Sequence, residues 1–88
     1  MTWAVEWDER ARRELRKLDH AAQKKILQYF RDRVAVDADP RRLGRALNGD
    51  KSGLWRYRLG DYRIICKIED VQVVVLVLRV VHRQEIYR

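Results

Sequence analysis

Two alternating runs on either side of Gly60 and Asp61 constrain the fold of this chain more than any other feature. Residues 55–59 and 62–68 place apolar side chains at every second position. A Gly-Asp pair between such runs predicts a two-residue β-hairpin, because glycine at the first loop position supplies the positive φ of a type II′ turn. The register then pairs residues directly across the hairpin: Leu59 with Tyr62, and Arg58 with Arg63.

The alternation gives this hairpin one apolar face and one basic face. The apolar face carries Trp55, Tyr57, Leu59, Tyr62, Ile64, Cys66 and Ile68, and the basic face carries Arg56, Arg58, Arg63 and Lys67. Like charges directly opposite each other destabilise a sheet by roughly 0.2 to 1 kcal/mol per pair, so folding alone does not explain two opposed arginines. We therefore expect an anion to bind between them.

The charge distribution points to a polyanionic partner. The net charge is +7, and residues 41–88 hold eleven Lys or Arg against five Asp or Glu, whereas residues 1–40 hold nine against eight. Basicity concentrated in one half favours nucleic acid over a membrane surface, with simple solubility as the alternative explanation. The single Cys66 excludes an internal disulfide and a cysteine-rich zinc site. The start of the chain lacks the pattern of a signal peptide, which predicts a cytoplasmic protein.

The order of elements predicts one α+β domain over residues 1–88. An aromatic strand over 3–7 precedes a helix capped by Asp8 and ending near Leu18, and Asp19 caps a second helix that ends by Val36, ahead of Pro40. Residues 37–54 form a long basic connector, and the apolar run 71–78 after a tight turn at Glu69–Asp70 predicts a central strand. The arrangement β-α-α-β-β-β places a helical hairpin on the apolar face of a small, mostly antiparallel sheet. The basic face stays open.

Several segments, taken together and in order, resemble the RelE toxins of bacterial and archaeal toxin-antitoxin systems, within the RelE/ParE superfamily. The segments are Trp7–Ala11 with Leu15–Leu18, Leu43–Gly49, Leu54–Arg63, and His82–Arg83 with Glu85–Arg88. The resemblance covers essentially the whole chain. It implies an endoribonuclease that enters the ribosomal A site and cuts mRNA by attack of a ribose 2′-hydroxyl on the adjacent phosphate, with no metal and no cofactor.

The resemblance also assigns roles to individual residues. It implies phosphate contacts for Arg56 and Arg63, the general base for Arg58, the general acid for Arg83, and positioning of or stacking on the nucleotide for Tyr87. From their charge and place in the chain, Arg41, Arg42, Arg45, Lys51 and Lys67 are the predicted RNA-binding residues.

The proton acceptor stays open at this point. Well-studied members of the family have lysines at the positions of Arg56 and Arg58, and a guanidinium group stays protonated at ordinary pH. Either Arg58 acts only electrostatically, while water or the ribosome takes the proton, or His82 exchanges protons near neutrality. Strict alternation puts His82 on the basic face and Arg83 on the other, whereas one bulge in the last strand exchanges them.

Two other functions remain as alternatives. A ParE-like toxin shares this fold and basic character but inhibits DNA gyrase, and a catalytically silent member of the superfamily would only bind nucleic acid or an antitoxin. In every case the resemblance implies a RelB-like antitoxin encoded alongside the toxin, operator DNA bound only through the toxin-antitoxin complex, and autorepression of the operon by that complex.

Overall fold

A computed structural model describes residues 2–47 and 53–86 of the chain. The elements follow as β1 (Ala4–Trp7), α1 (Glu9–Arg16), α2 (His20–Tyr29), a π-helical turn (Phe30–Val34), a 3-10 turn (Pro40–Leu43), β2 (Arg45–Ala46), β3 (Leu54–Leu59), β4 (Tyr62–Glu69), β5 (Val74–His82) and α3 (Arg83–Ile86). No helix in these described ranges is both long enough and apolar enough to cross a membrane.

Both long helices begin at the aspartates that the sequence predicts as caps. The Asp8 carboxylate accepts a hydrogen bond from the Arg10 backbone N–H, and the Asp19 carboxylate accepts one from Ala22 at 2.7 Å. Each aspartate satisfies a donor that the first helical turn would otherwise leave unpaired. The predicted helical hairpin is therefore confirmed, with α1 ending at Arg16 and α2 passing into its π-helical turn at Phe30.

The five strands form one mixed sheet in the order β1-β5-β4-β3-β2. β1 runs parallel to β5, and all other neighbouring pairs are antiparallel. The predicted hairpin register is confirmed, since Leu59 pairs with Tyr62 and Arg58 with Arg63, and Gly60 has a φ of 59°. β5 lies between two strands, as its unbroken apolar run predicts.

The core lies between the helices and the apolar face of the sheet. Its fully buried members include Ile26 and Phe30 from the helical side and Tyr57, Ile64 and Cys66 from the sheet. Trp3 is buried, while Trp7 and Trp55 pack against the core with part of each ring exposed. All three tryptophans thus lie on the inward face, and the opposite face of the sheet has no helical layer from α1 or α2.

The connector and the β4–β5 turn differ from the sequence prediction. The connector contains two short elements that its sequence does not indicate, the 3-10 turn and strand β2, which pairs with β3. Two residues of regular pairing are too few to produce a visible alternation. The turn after β4 extends from Asp70 to Val73, so β5 begins at Val74 rather than at Val71. Val73 adopts a φ of 57°, a conformation that hydrophobic patterning does not reveal for a β-branched residue.

Candidate nucleic-acid interface

An open cleft of about 460 Å³ lies between the segment 42–45 and strand β3. Its lining consists of Arg42, Leu43, Gly44, Arg45, Arg56 and Arg58. Arg56 and Arg58 come from the open face of β3, opposite the buried Tyr57 between them. The cleft therefore joins two arginines predicted to contact RNA with Arg56, the predicted phosphate contact, and Arg58, at the predicted position of the general base.

Backbone pairing brings the two walls of the cleft together. Arg45 in β2 lies directly across from Arg56 in β3. Gly44 precedes β2 and approaches β3 so closely that a Cβ atom there would lie 2.9 Å from the Arg56 carbonyl oxygen and 3.1 Å from the Tyr57 ring. Only glycine fits this contact without displacing β3 backbone, so Gly44 sets the width of the cleft.

A buried hydrogen bond anchors the segment that forms the cleft wall. The Tyr57 hydroxyl donates to the Pro40 carbonyl oxygen at 2.8 Å, and both residues are fully buried. The Tyr57 ring also packs edge-on against Phe30, with 5.4 Å between ring centroids. Burial raises the pKa of the Tyr57 hydroxyl and, in the same core, the pKa of the Cys66 thiol. Tyr57 thus links the hydrophobic core to the cleft.

Arg41 holds the same segment from the other side. Its guanidinium group makes a bidentate ion pair with Asp70 in the β4–β5 turn, at 2.9 and 2.6 Å, and lies 5.8 Å from the centroid of the Trp55 ring. The hydrogen bond from Arg41 lowers the pKa of the Asp70 carboxyl. RNA binding by Arg41 stays a prediction. In the structure Asp70 balances the charge of Arg41, and this ion pair connects the 3-10 turn to the β4–β5 turn.

The cleft is positively charged with little compensation. Within residues 2–47 and 53–86, no carboxylate lies within ion-pair distance of Arg45, Arg56 or Arg58. Arg42 has one long contact of 3.6 Å, from its Nε to an oxygen of Asp37. Guanidinium groups that converge without carboxylates produce a positive potential, and planar guanidinium donors match the geometry of phosphate oxygens.

Arg63 continues this row of charges beside the cleft. It lies directly across from Arg58, yet only 7% of its surface is exposed. Its Nη1 atom lies 3.4 Å from the carbonyl oxygens of Gly60 and Tyr62, at the limit of hydrogen bonding. Arg63 therefore lies on the open face as predicted, but it is much less accessible than Arg58, which is exposed.

A bulge in β5 decides the facing of His82. The register between β4 and β5 shifts after Val77, because Cys66 pairs with Val77 while Ile65 pairs with Arg79. His82 then pairs with Tyr62 on the helix-covered face, with 5.2 Å between the ring centroids. His82 is consequently on the face of the sheet opposite Arg58 and Arg63. Arg83 is the exposed first residue of α3.

The remaining predicted residues fall outside the cleft or outside the described ranges. Lys67 is exposed on the open face, opposite Leu54, with its Nζ 3.7 Å from a Glu69 carboxylate oxygen. Lys51 and Tyr87 lie outside the described residues, so their predicted roles stay predictions. Sequence reasoning missed two lining residues, Leu43 and Gly44. A glycine inside a run of arginines was the available signal for close backbone approach.

Comparison with known proteins identifies the family of this chain. A family model for the ParE toxin of type II toxin-antitoxin systems matches residues 5–87. The chain belongs to the RelE/ParE superfamily of toxins. The sequence of this RelE/ParE toxin is 34% identical over 89 residues to Toxin RelG of Mycobacterium tuberculosis, covering 100% of this chain and 99% of that protein.

Solved structures of RelE proteins share the fold of this toxin. The toxin-antitoxin complex RelBE2 of M. tuberculosis matches with a TM-score of 0.86 and 29% identity, over 94% of this chain and 93% of that one. The isolated RelE toxin of E. coli matches with a TM-score of 0.63 and 27% identity, over 97% and 90% of the two chains. The chain is therefore a type II toxin with a RelE-like fold.

Proposed function

We propose that this toxin is a ribosome-dependent endoribonuclease that cuts mRNA and so stops translation in the cytoplasm. The observation that carries the proposal is the cleft, where four arginines converge and three of them have no carboxylate partner in the described part of the chain. A phosphodiester in the cleft would meet cations suited to the charge that develops on its oxygens during cleavage.

The reaction is an internal transfer of the phosphate. The ribose 2′-oxygen forms a bond to phosphorus, the bond from phosphorus to the 5′-oxygen breaks, and the products carry a 2′,3′-cyclic phosphate and a 5′-hydroxyl. One proton leaves the 2′-hydroxyl and one reaches the departing 5′-oxygen. Arg83 is the proposed donor of the second proton, and Tyr87 is the proposed contact to the nucleotide.

Arg58 acts electrostatically in this proposal. A guanidinium group stays charged at physiological pH and cannot take the 2′ proton, so the acceptor is water or a ribosomal group. Arg56 and Arg63 contact the phosphate, while Arg42 and Arg45 on the opposite wall position the backbone of the message. The facing of His82 toward Tyr62 supports this alternative over proton exchange by His82.

The family model favours one competing function, since it describes ParE toxins. A gyrase inhibitor would reduce DNA supercoiling and leave RNA intact. In a translating extract, the endoribonuclease cuts ribosome-bound mRNA in phase with codons and leaves cyclic phosphate ends. Loss of supercoiling without RNA cuts would instead support gyrase inhibition. If neither effect occurs, the protein is a catalytically silent member of the superfamily.

Substitution of Arg58 tests the site itself. We expect Arg58→Ala to slow cleavage on the order of 10²- to 10³-fold, the usual effect of removing one well-placed donor to a developing oxyanion, while Arg58→Lys recovers part of the rate because it keeps the charge. Arg12→Ala is the matched control, since Arg12 is an exposed arginine on α1. Equal activity of Arg58→Ala and Arg12→Ala would contradict the assignment.

Neutralisation by a RelB-like antitoxin belongs to the same proposal. The E. coli and Pyrococcus horikoshii RelE proteins were solved with RelB partners. An acidic or amphipathic antitoxin segment that covers the arginine cleft would block the message by charge complementarity, and the complex would repress its operon by binding operator DNA. A structure of the complex with the cleft open and its arginines undisturbed would contradict this part.

A further inference from the structure

The carboxylate of Glu14 in α1 holds the free edge of β5 next to the bulge. Its Oε1 atom accepts from the Val80 backbone N–H at 2.8 Å, and its Oε2 atom accepts from Arg79 Nε at 3.0 Å and Nη2 at 2.8 Å. The Glu14 side chain is only 19% exposed. Such a charge-assisted, bidentate arrangement is stronger than an ordinary surface ion pair.

Glu14 occupies the position where a neighbouring strand would otherwise lie. β1 pairs with β5 only as far as Trp7 and Val77, and the chain then leaves the sheet through the Asp8 N–H bonded to the Val77 carbonyl at 2.8 Å. Beyond that point no strand among the described residues pairs with this side of β5, so the N–H of Val80 needs another acceptor. The carboxylate of Glu14 supplies it.

The same stretch of β5 contains the extra residue that sets the facing of the C-terminal site residues. Leu78 is inserted between Val77 and Arg79, which pair with consecutive residues of β4. Without this insertion, period-two alternation would turn Val80 and His82 to the open face and Arg79 to the core. With it, His82 packs on Tyr62, and the backbone N–H of Arg83, the next residue, donates to the Asp61 carbonyl oxygen in the hairpin turn at 2.6 Å.

We propose that Glu14 is a positioning residue for Arg83, acting through the bulge in β5. By bonding both residues that follow Leu78, Glu14 selects the bulged register over the unbulged one, and it does so without touching the cleft. The inference rests on the proposed nuclease function only for its catalytic consequence. The selection of register is a property of the fold and is measurable without any RNA.

The test compares Glu14→Ala and Glu14→Gln with Glu9→Ala, a control on the same helix whose exposed carboxylate pairs with Arg13 at 3.4 Å. NMR gives the first readout, the contact between the Tyr62 and His82 rings. Amide exchange at Val80 gives the second, and we expect it to quicken by about tenfold or more in the alanine variant. Codon-phased cleavage on programmed ribosomes gives the third, with kcat and KM measured separately.

We expect Glu14→Ala to lose the ring contact and to lower kcat on the order of 10²-fold with little change in KM, because a displaced group slows chemistry more than binding. Glu14→Gln retains an acceptor for Val80 and should recover part of both signals, whereas Glu9→Ala should match the wild type. If the alanine variant does not fold, the glutamine variant decides: a partial loss of the ring contact and of kcat supports the inference, and wild-type values of both overturn it.

A merely structural attachment of α1 to the sheet would give a different result. In that case Glu14→Ala lowers the melting temperature but keeps the ring contact and the wild-type kcat, which overturns the inference. If the wild type itself leaves RNA intact, the nuclease proposal fails. The ring contact still decides the inference then: its loss in Glu14→Ala supports register selection, and its survival overturns it.

Discussion

Removal of one oxygen atom from Tyr57 should destabilise the fold by a measurable amount. Tyr57→Phe keeps the buried ring and its packing on Phe30, but leaves the buried Pro40 carbonyl without the donor that now lies 2.8 Å away. An unsatisfied buried acceptor of this kind costs about 1 to 2 kcal/mol of unfolding free energy. For a domain of this size, the melting temperature should then fall by roughly 4 to 16 °C.

The destabilisation of Tyr57→Phe is measured by thermal and urea unfolding, with circular dichroism as the signal. The midpoint should fall while the urea m-value stays constant, since the buried area hardly changes. Tyr29→Phe is the control, because the Tyr29 hydroxyl has no hydrogen bond among the described residues and its ring packs in the same aromatic group. Equal losses in the two variants, or no loss in either, would refute the assignment of Tyr57 as the anchor of the cleft wall.

Two further predictions concern the same region. Burial raises the pKa of Cys66 and Tyr57 above their ordinary values of 9.0 and 10.0, so the stability they contribute is fully present below about pH 9 and is lost as the pH rises beyond it. Urea midpoints from pH 7 to 11 should fall from about pH 9, and Cys66→Ala should delay the decline; a flat profile would exclude the linkage. Gly44→Ala should cost about 1 to 3 kcal/mol and reduce RNA cleavage, because its Cβ would press on the Arg56 carbonyl; a variant with unchanged melting temperature and cleavage would show that the wall can yield.

The elements with local signals were the predictable ones. The Gly60 turn determined the register of β3 and β4, so the opposition of Arg58 and Arg63 follows from the sequence alone. The two aspartate caps marked the helix starts for the same reason, since each acts within its own turn. Strong local geometry leaves few alternatives for tertiary packing to choose among.

Interactions between distant parts of the chain could not be predicted. Arg41 is predicted to bind RNA because it stands among other arginines, and that pattern does not reveal its ion pair with Asp70, 29 residues away in a turn. The bulge in β5 could not be predicted for another reason. Residues 73–78 are all apolar, so their pattern does not show which residue is extra, and only the pairing with Tyr62 defines the face on which His82 lies.

The opposed arginines of the hairpin have a thermodynamic consequence for the unliganded toxin. Their mutual repulsion, together with that between Arg45 and Arg56, lowers the stability of the empty protein, and any anion that fits the cleft removes part of this penalty. By mass action, an occupant that binds only the folded form raises the unfolding temperature in proportion to the logarithm of its concentration. The melting temperature of the toxin therefore reports whether the cleft is occupied. Melting curves measured with short oligonucleotides can rank candidate ligands without a ribosome.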